Sequence, residues 1–200
     1  MELSNLPKRE ANKIMSRYQI LKASRQLFTK KGYNETMMKD IAEKAGVSKA
    51  TVYNYFPNKE SLLVGTIDDT VAMLRDKLDS EECAGMNAEE KLRVAIESLV
   101  SYQAKYPSLA RRITYLNSDK TSTLYNCGKE MVSIFYDLVK ECQDTGIYKK
   151  DENIERIVDA VLGLYFTAQF RWLDLEEADF AWIKKRVDLY FDDLMQTFKA

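Results

Sequence analysis

Between positions 48 and 56 the chain reads SKATVYNYF. These nine positions hold a lysine, two short hydroxyl residues, an asparagine and two tyrosines, the side-chain types that grip phosphate oxygens and read base edges. Lys49 and Thr51 can bond to base edges, and small Ala50 permits close approach and can touch a thymine methyl. Ser48, Tyr53, Asn54 and Tyr55 can reach backbone oxygens or bases. Catalysis has poorer material. The chain contains no His, so the imidazole on which serine hydrolases, cysteine proteases and zinc peptidases rely is missing. Cys83, Cys127 and Cys142 are odd in number and lack CxxC spacing, which reads as free thiols in a reducing cytoplasm. With no glycine-rich phosphate loop, nucleophile elbow or metal-ligand cluster, the sequence is not expected to be an enzyme, and no cofactor or metal is expected.

A reading surface must be carried on a rigid element. Two helices joined by a tight turn need a small residue where they cross, a glycine able to take positive φ, and an apolar residue that locks the second helix onto the first. Ala42, Gly46 and Val52 supply these. Ile41, Ala45, Val47 and Val52 then form the inner face, and the polar residues of 49–55 turn toward solvent. Lys59, at the start of the following helix, adds a cation to that helix's positive end and makes an anion site for a phosphate.

The whole chain suits such a design. It has 200 residues, 46% of them hydrophobic, with only seven Gly and three Pro (Pro7, Pro57, Pro107), which predicts an all-α fold of long helices. Apolar periodicity predicts helices over 13–31, 36–45 with Thr36 as N-cap, 49–55, 58–79, 88–106, 108–117, 121–144, 153–174 and 178–198, about nine in all. A loop is predicted at 80–90, and breaks at Pro107, 118–120, 144–151 and Leu175 to Ala178. Residues 1–60 hold twelve Lys and Arg against six Asp and Glu, whereas 61–200 hold eighteen against twenty-five. That asymmetry suggests a first segment that meets a polyanion and a remainder that stays soluble, although charge alone fits a solvated basic face with no partner equally well. MELSNLPKRE offers no apolar signal core, and the run 157–170 is too short to span a bilayer and contains Asp159. A cytoplasmic protein without a membrane partner is expected.

The stretch GYNETMMKDIAEKAGVSKATVYNYFPNKESLL, 32–63, resembles the N-terminal domain of the tetracycline-repressor (TetR) family. The family's pattern is matched at Gly32, Tyr33, Thr36, Asp40, Ile41, Ala42, Ala45–Lys49, Thr51, Tyr53, Tyr55, Phe56, Lys59, Glu60 and Leu62. Met37 departs from the usual second Thr, Ala50 from the commoner Gly and Asn54 from the frequent His, so an operator sequence does not transfer. Taken with the residue chemistry, the resemblance implies double-stranded DNA contacts from Thr36, Met37, Val47, Ser48, Lys49, Ala50, Thr51, Tyr53, Asn54, Tyr55 and Lys59. It also implies a division into a helix-turn-helix domain at 1–60 and a ligand-binding, dimerising domain at 61–200, connected by the helix 58–79.

For the C-terminal part the resemblance covers helix number and placement only. It implies that the last two helices form a four-helix bundle with those of a second copy. Ala160, Gly163 and Thr167 are small enough for close helix approach, and Ile183, Val187, Tyr190 and Leu194 make a second stripe. The other reading of both stripes is intrachain core. An unknown small-molecule effector would meet Tyr102, Gln103, Tyr106, Tyr125, Phe135, Tyr165, Gln169 or Trp172, although aromatics at helical spacing are also ordinary core. The leading expectation is a homodimeric, ligand-released repressor on a palindromic operator. Its rival is a DNA-bound factor on the same fold that recruits a protein partner and uses no inducer.

Overall fold

The computed structural model describes residues 7–125, 127–172 and 179–200. Among these are nine α-helices: α1 (Lys8–Lys31), α2 (Met38–Ala45), α3 (Lys49–Tyr55), α4 (Lys59–Leu78), α5 (Ala88–Lys105), α6 (Pro107–Ser118), α7 (Lys129–Asp144), α8 (Ile154–Thr167) and α9 (Phe180–Gln196). The chain is all-α, and an isolated bridge between Tyr148 and Lys199 is the one β-type pairing among the described residues. No described helix is long and apolar enough to cross a membrane.

Side-chain caps begin several helices. Ser48 Oγ accepts from Thr51 N at 3.0 Å to start α3, and Asn58 Oδ1 accepts from Ser61 N at 2.8 Å to start α4. Asn87 and Glu90 form a reciprocal capping box at α5, and Asn153 and Asp179 cap α8 and α9. Gly46, at φ 68° and ψ 30°, ends α2 in the left-handed region where a Cβ would be strained.

Four expectations need correction. Helix α1 starts at Lys8, five residues before the predicted 13, because Pro7 can open a helix whose polar first turns need no buried face. Helix α2 is not capped by Thr36. That side chain turns inward, its Oγ1 donating to Gly32 O at 2.7 Å, and Met37 takes the cap position while Asp40 accepts from its N–H at 3.2 Å. Helix α7 starts at Lys129 rather than 121, because 119–124 forms turns tied by Asp119 and Ser122. Helix α8 gives way at Ala168 to a π turn, Ala168–Trp172. The break predicted at Leu175 to Ala178, with the end of one predicted helix and the start of the next, lies outside the described residues.

Two apolar clusters result. The head cluster joins Ile20, Leu21 and Phe28 of α1, Ile41 of α2, Val52 of α3, and Leu62 and Leu63 of α4, and it extends to Leu109 and Leu116 of α6. The second cluster takes Val71 and Leu74 from the far end of α4 and combines them with α5, α7, α8 and α9. Helix α4 therefore has one end in each core, and α6 reaches back onto α1. A Cβ added at Gly65 of α4 would lie 2.8 Å from the Phe56 ring and 3.1 Å from a Leu21 methyl, so this glycine sets how closely α4 seats on the head. Helices α5 and α6 meet at one residue: Tyr106, at φ −142° and ψ 56°, caps the end of the first and the start of the second, and Pro107 fixes the next φ.

Candidate nucleic-acid interface and effector cavity

Helix α3 is held from beneath by Val52, which is fully buried. Lys49, Ala50, Tyr53 and Asn54 are exposed on its outer side, with Tyr53 at 51%. The Ser48 and Thr51 hydroxyls lie 2.8 Å apart and bond to each other, so each keeps part of its capacity for a ligand while bracing the helix start. Met37 is also exposed. A shallow groove brings together Met37, Lys39, Lys49, Tyr53 and Lys59, gathering three ammonium groups beside the reading helix. A double-helical polyanion suits that geometry, with phosphates over the lysines and base edges against α3.

The other residues predicted to meet DNA are placed differently. Thr36 is fully buried by its bond to Gly32 O, so it presents nothing to a ligand. Val47 and Tyr55 are half-buried against the head core. Lys59 is drawn inward: its Nζ donates to Tyr33 O at 2.8 Å and Asn34 O at 3.1 Å and lies 4.6 Å from the Tyr33 ring centroid. It contributes positive charge to the groove while spending its donors on the backbone. Lys39 was missed, although the basic-acidic pair Lys39-Asp40 marks the place. Asp40 carries no net threat to an anion there, since Lys31 Nζ donates to it at 2.6 Å. That bond, with the Met37 N–H, holds its carboxyl below the usual carboxylate range.

Behind the head, α4, α5, α6 and α8 line a cavity of about 210 Å³, to which Gly128 and, on α7, Met131 also contribute. Its walls include Thr66 and Thr70 of α4, Leu99, Tyr102 and Gln103 of α5, Tyr106, Ile113 of α6, and Tyr165 of α8, with no charged side chain among the described lining. Of the other residues predicted to meet an effector, Phe135 is fully buried in the second core and Trp172 packs edge-on to Trp182. Gln169 is buried beside the cavity rather than lining it, and Tyr125 is exposed on the turn before α7. Burial raises the Tyr102 and Tyr165 pKa values, so both hydroxyls stay protonated.

The sequence reading also passed over Arg25. This α1 residue is 8% exposed and donates to Asp69 of α4 at 3.0 Å, while Arg17 donates to the other oxygen at 2.6 Å. Burial opposes its charge, but neighbouring Tyr102 and the Asp69 carboxylate more than offset that. The signal was available: Arg25 sits one turn after Leu21 on the apolar face of α1.

Of the residues predicted to pair two copies, Ile183 and Val187 are buried in the chain's own second core. Ala160 and Leu194 are partly buried against it, and Gly163 and Thr167 are half-exposed. Tyr190 is exposed, as are Phe166, Phe170 and Leu189.

Residues 20–65, which contain the buried face of α1, all of α2 and α3 and the first part of α4, match the family model for bacterial regulatory proteins, tetR family. This segment of the chain is a TetR-family head. The chain is a DNA-binding transcriptional regulator. Over 192 residues it is 26% identical to the HTH-type transcriptional repressor KstR of Mycolicibacterium smegmatis, covering 94% of this chain and 88% of that protein. The fatty acid degradation regulator FadR of Bacillus halodurans shares the fold at a TM-score of 0.73 and 22% identity, over 89% of this chain and 93% of that one. So does FadR of Bacillus subtilis in complex with stearoyl-CoA, at 0.72 and 20%, over 88% and 96%.

Proposed function

We propose that this chain is a homodimeric TetR-family repressor that occupies a palindromic operator through its 1–60 head and is released when a small molecule fills the cavity of its 61–200 domain. The observation that carries this reading is the outward polar face of α3, seated on fully buried Val52 beside the lysine groove. Helix α4 connects the two parts. Pairing is supported by the apolar surface at the end of the chain: Phe166, Phe170, Leu189 and Tyr190 are each between 42% and 57% exposed. A Cβ at Gly163 would meet nothing within 4 Å, which leaves room for a partner helix. A two-fold pair would set its reading helices about 34–36 Å apart, one DNA turn.

The cavity supports release by a ligand over the rival in which a protein partner acts without an inducer. The stearoyl-CoA bound by the Bacillus subtilis regulator supports it further. Release requires only that the ligand prefer one arrangement of α4 and α6 over the operator-bound one. Selection from random duplexes, with the mass of the complex measured by light scattering, is expected to return an inverted repeat bound by two copies. A single-copy complex, or a pool with no repeat, would overturn the dimeric reading.

A further inference from the structure

The interior of the cavity carries information about its occupant. Most of its polar wall is already committed. Thr66 donates to Leu62 O, Thr70 to Thr66 O and Ser118 to Tyr115 O. Two buried atoms on α5 border the cavity: Gln103 Oε1, which has no hydrogen-bond partner, and the Tyr102 hydroxyl, whose one side-chain neighbour, the Thr70 hydroxyl, has already given its proton to Thr66 O. Gln103 is only 2% exposed, and its identity at each end is fixed by its surroundings. Its other terminus lies 3.1 Å from Tyr165 O, which can only accept, so the amide NH₂ must face that carbonyl and the oxygen must be the atom left over. An orphaned buried acceptor keeps its desolvation penalty until something donates to it. Tyr102, protonated because it is buried, can donate or accept.

The geometry points to a small, uncharged, largely apolar effector bearing a hydroxyl that donates to Gln103 Oε1 and accepts from Tyr102. This inference rests on the ligand-released reading above and specifies its chemistry. An anionic head group fits badly, because a carboxylate has no proton for Gln103 and no cation among the described residues lines the cavity. Size acts in the same direction: about 210 Å³ lies below the roughly 300–1,000 Å³ of pockets for drug-sized ligands. The effector's polar end would also lie beside the Arg25–Asp69 pair that joins α1 to α4, through Tyr102.

Three probes of similar length separate the possibilities: 1-octanol, which donates and accepts; heptyl methyl ether, which has as many heavy atoms but only accepts; and octanoate, which is charged. Calorimetry on the full chain is expected to show octanol binding about tenfold tighter than the ether, the worth of one hydrogen bond, with octanoate weakest. In Gln103→Leu the alcohol and the ether should become equal. The wild-type comparison stands even if that variant folds poorly. Equal binding of alcohol and ether to the wild type, a preference for octanoate, or no binding by any of the three would overturn the inference. A parallel titration against selected duplex DNA tests the reading beneath it. Alcohol preference without DNA release would keep the ligand class and overturn the inducer role; release by octanoyl-CoA with no alcohol preference would do the reverse.

Discussion

The head and the cavity use polar side chains in opposite ways. In the head the interior is complete: Val52, Ile41 and Leu62 are fully buried, and the residues available to a partner stand outside on α3. Behind it, α5 turns an unpaired Gln103 Oε1 and the Tyr102 hydroxyl toward a cavity inside the fold. Where the working residues are on the outside, they can be changed without loss of fold. Where the working surface is a gap in the core, affinity and stability are traded against each other, because anything that fills the gap stabilises the protein and removes the site.

That contrast can be broken from either side. The largest effect is expected from Val52→Asp, which puts an unpaired carboxylate into the head core. It should cost several kcal/mol, abolish DNA binding and remove part of the helical signal in circular dichroism, while the second core persists. Loss of the whole fold in one transition would show that the two cores are one unit. Next comes Asp69→Asn, which leaves Arg25 without its carboxylate between α1 and α4. Since Asp69 is a quarter exposed, a loss of about 2 kcal/mol in thermal unfolding is expected, with weaker DNA binding.

Tyr53→Ala and Lys49→Ala sharpen the comparison. Each should weaken operator binding about tenfold with an unchanged melting temperature, and the lysine change should lower the salt slope by about one. Wild-type binding by both would mean that α3 is not the reading helix. The smallest effect and the clearest sign belong to Ala110→Leu on the cavity wall. Added methyl groups should stabilise the chain by about 1 kcal/mol and abolish the response to ligand. Destabilisation would mean that the space is already occupied by its own walls.

The head was the more legible region because its determinants are local. A cap such as Ser48, a left-handed glycine such as Gly46 and a short run of polar residues act within one turn of chain. Thr36 and Lys59 read differently in sequence and structure because their partners, the carbonyls of Gly32, Tyr33 and Asn34, are set by how the chain folds back on itself. In the C-terminal part, periodicity shows which face of a helix turns inward but not whether the inside is full. Phe135 and Tyr165 are therefore alike in pattern, yet one completes a core and the other borders a void. Ile183 and Val187 raise the same difficulty: one apolar stripe can serve the chain itself or a second copy, and only packing distinguishes the two. Arg25, one turn after Leu21 on a buried face, was the overlooked clue to the α1–α4 contact.

The single-residue junction at Tyr106 has a mechanical corollary. A joint that short has no slack: with Pro107 stiffening the far side, a push on the Tyr106 ring cannot be absorbed by a loop and is passed on as torque to α6. The other end of that lever, Leu109 and Leu116, is wedged into the head against α1. The wall that touches the cavity's contents and the rod that leans on the reading head are thus hinged at the same amino acid.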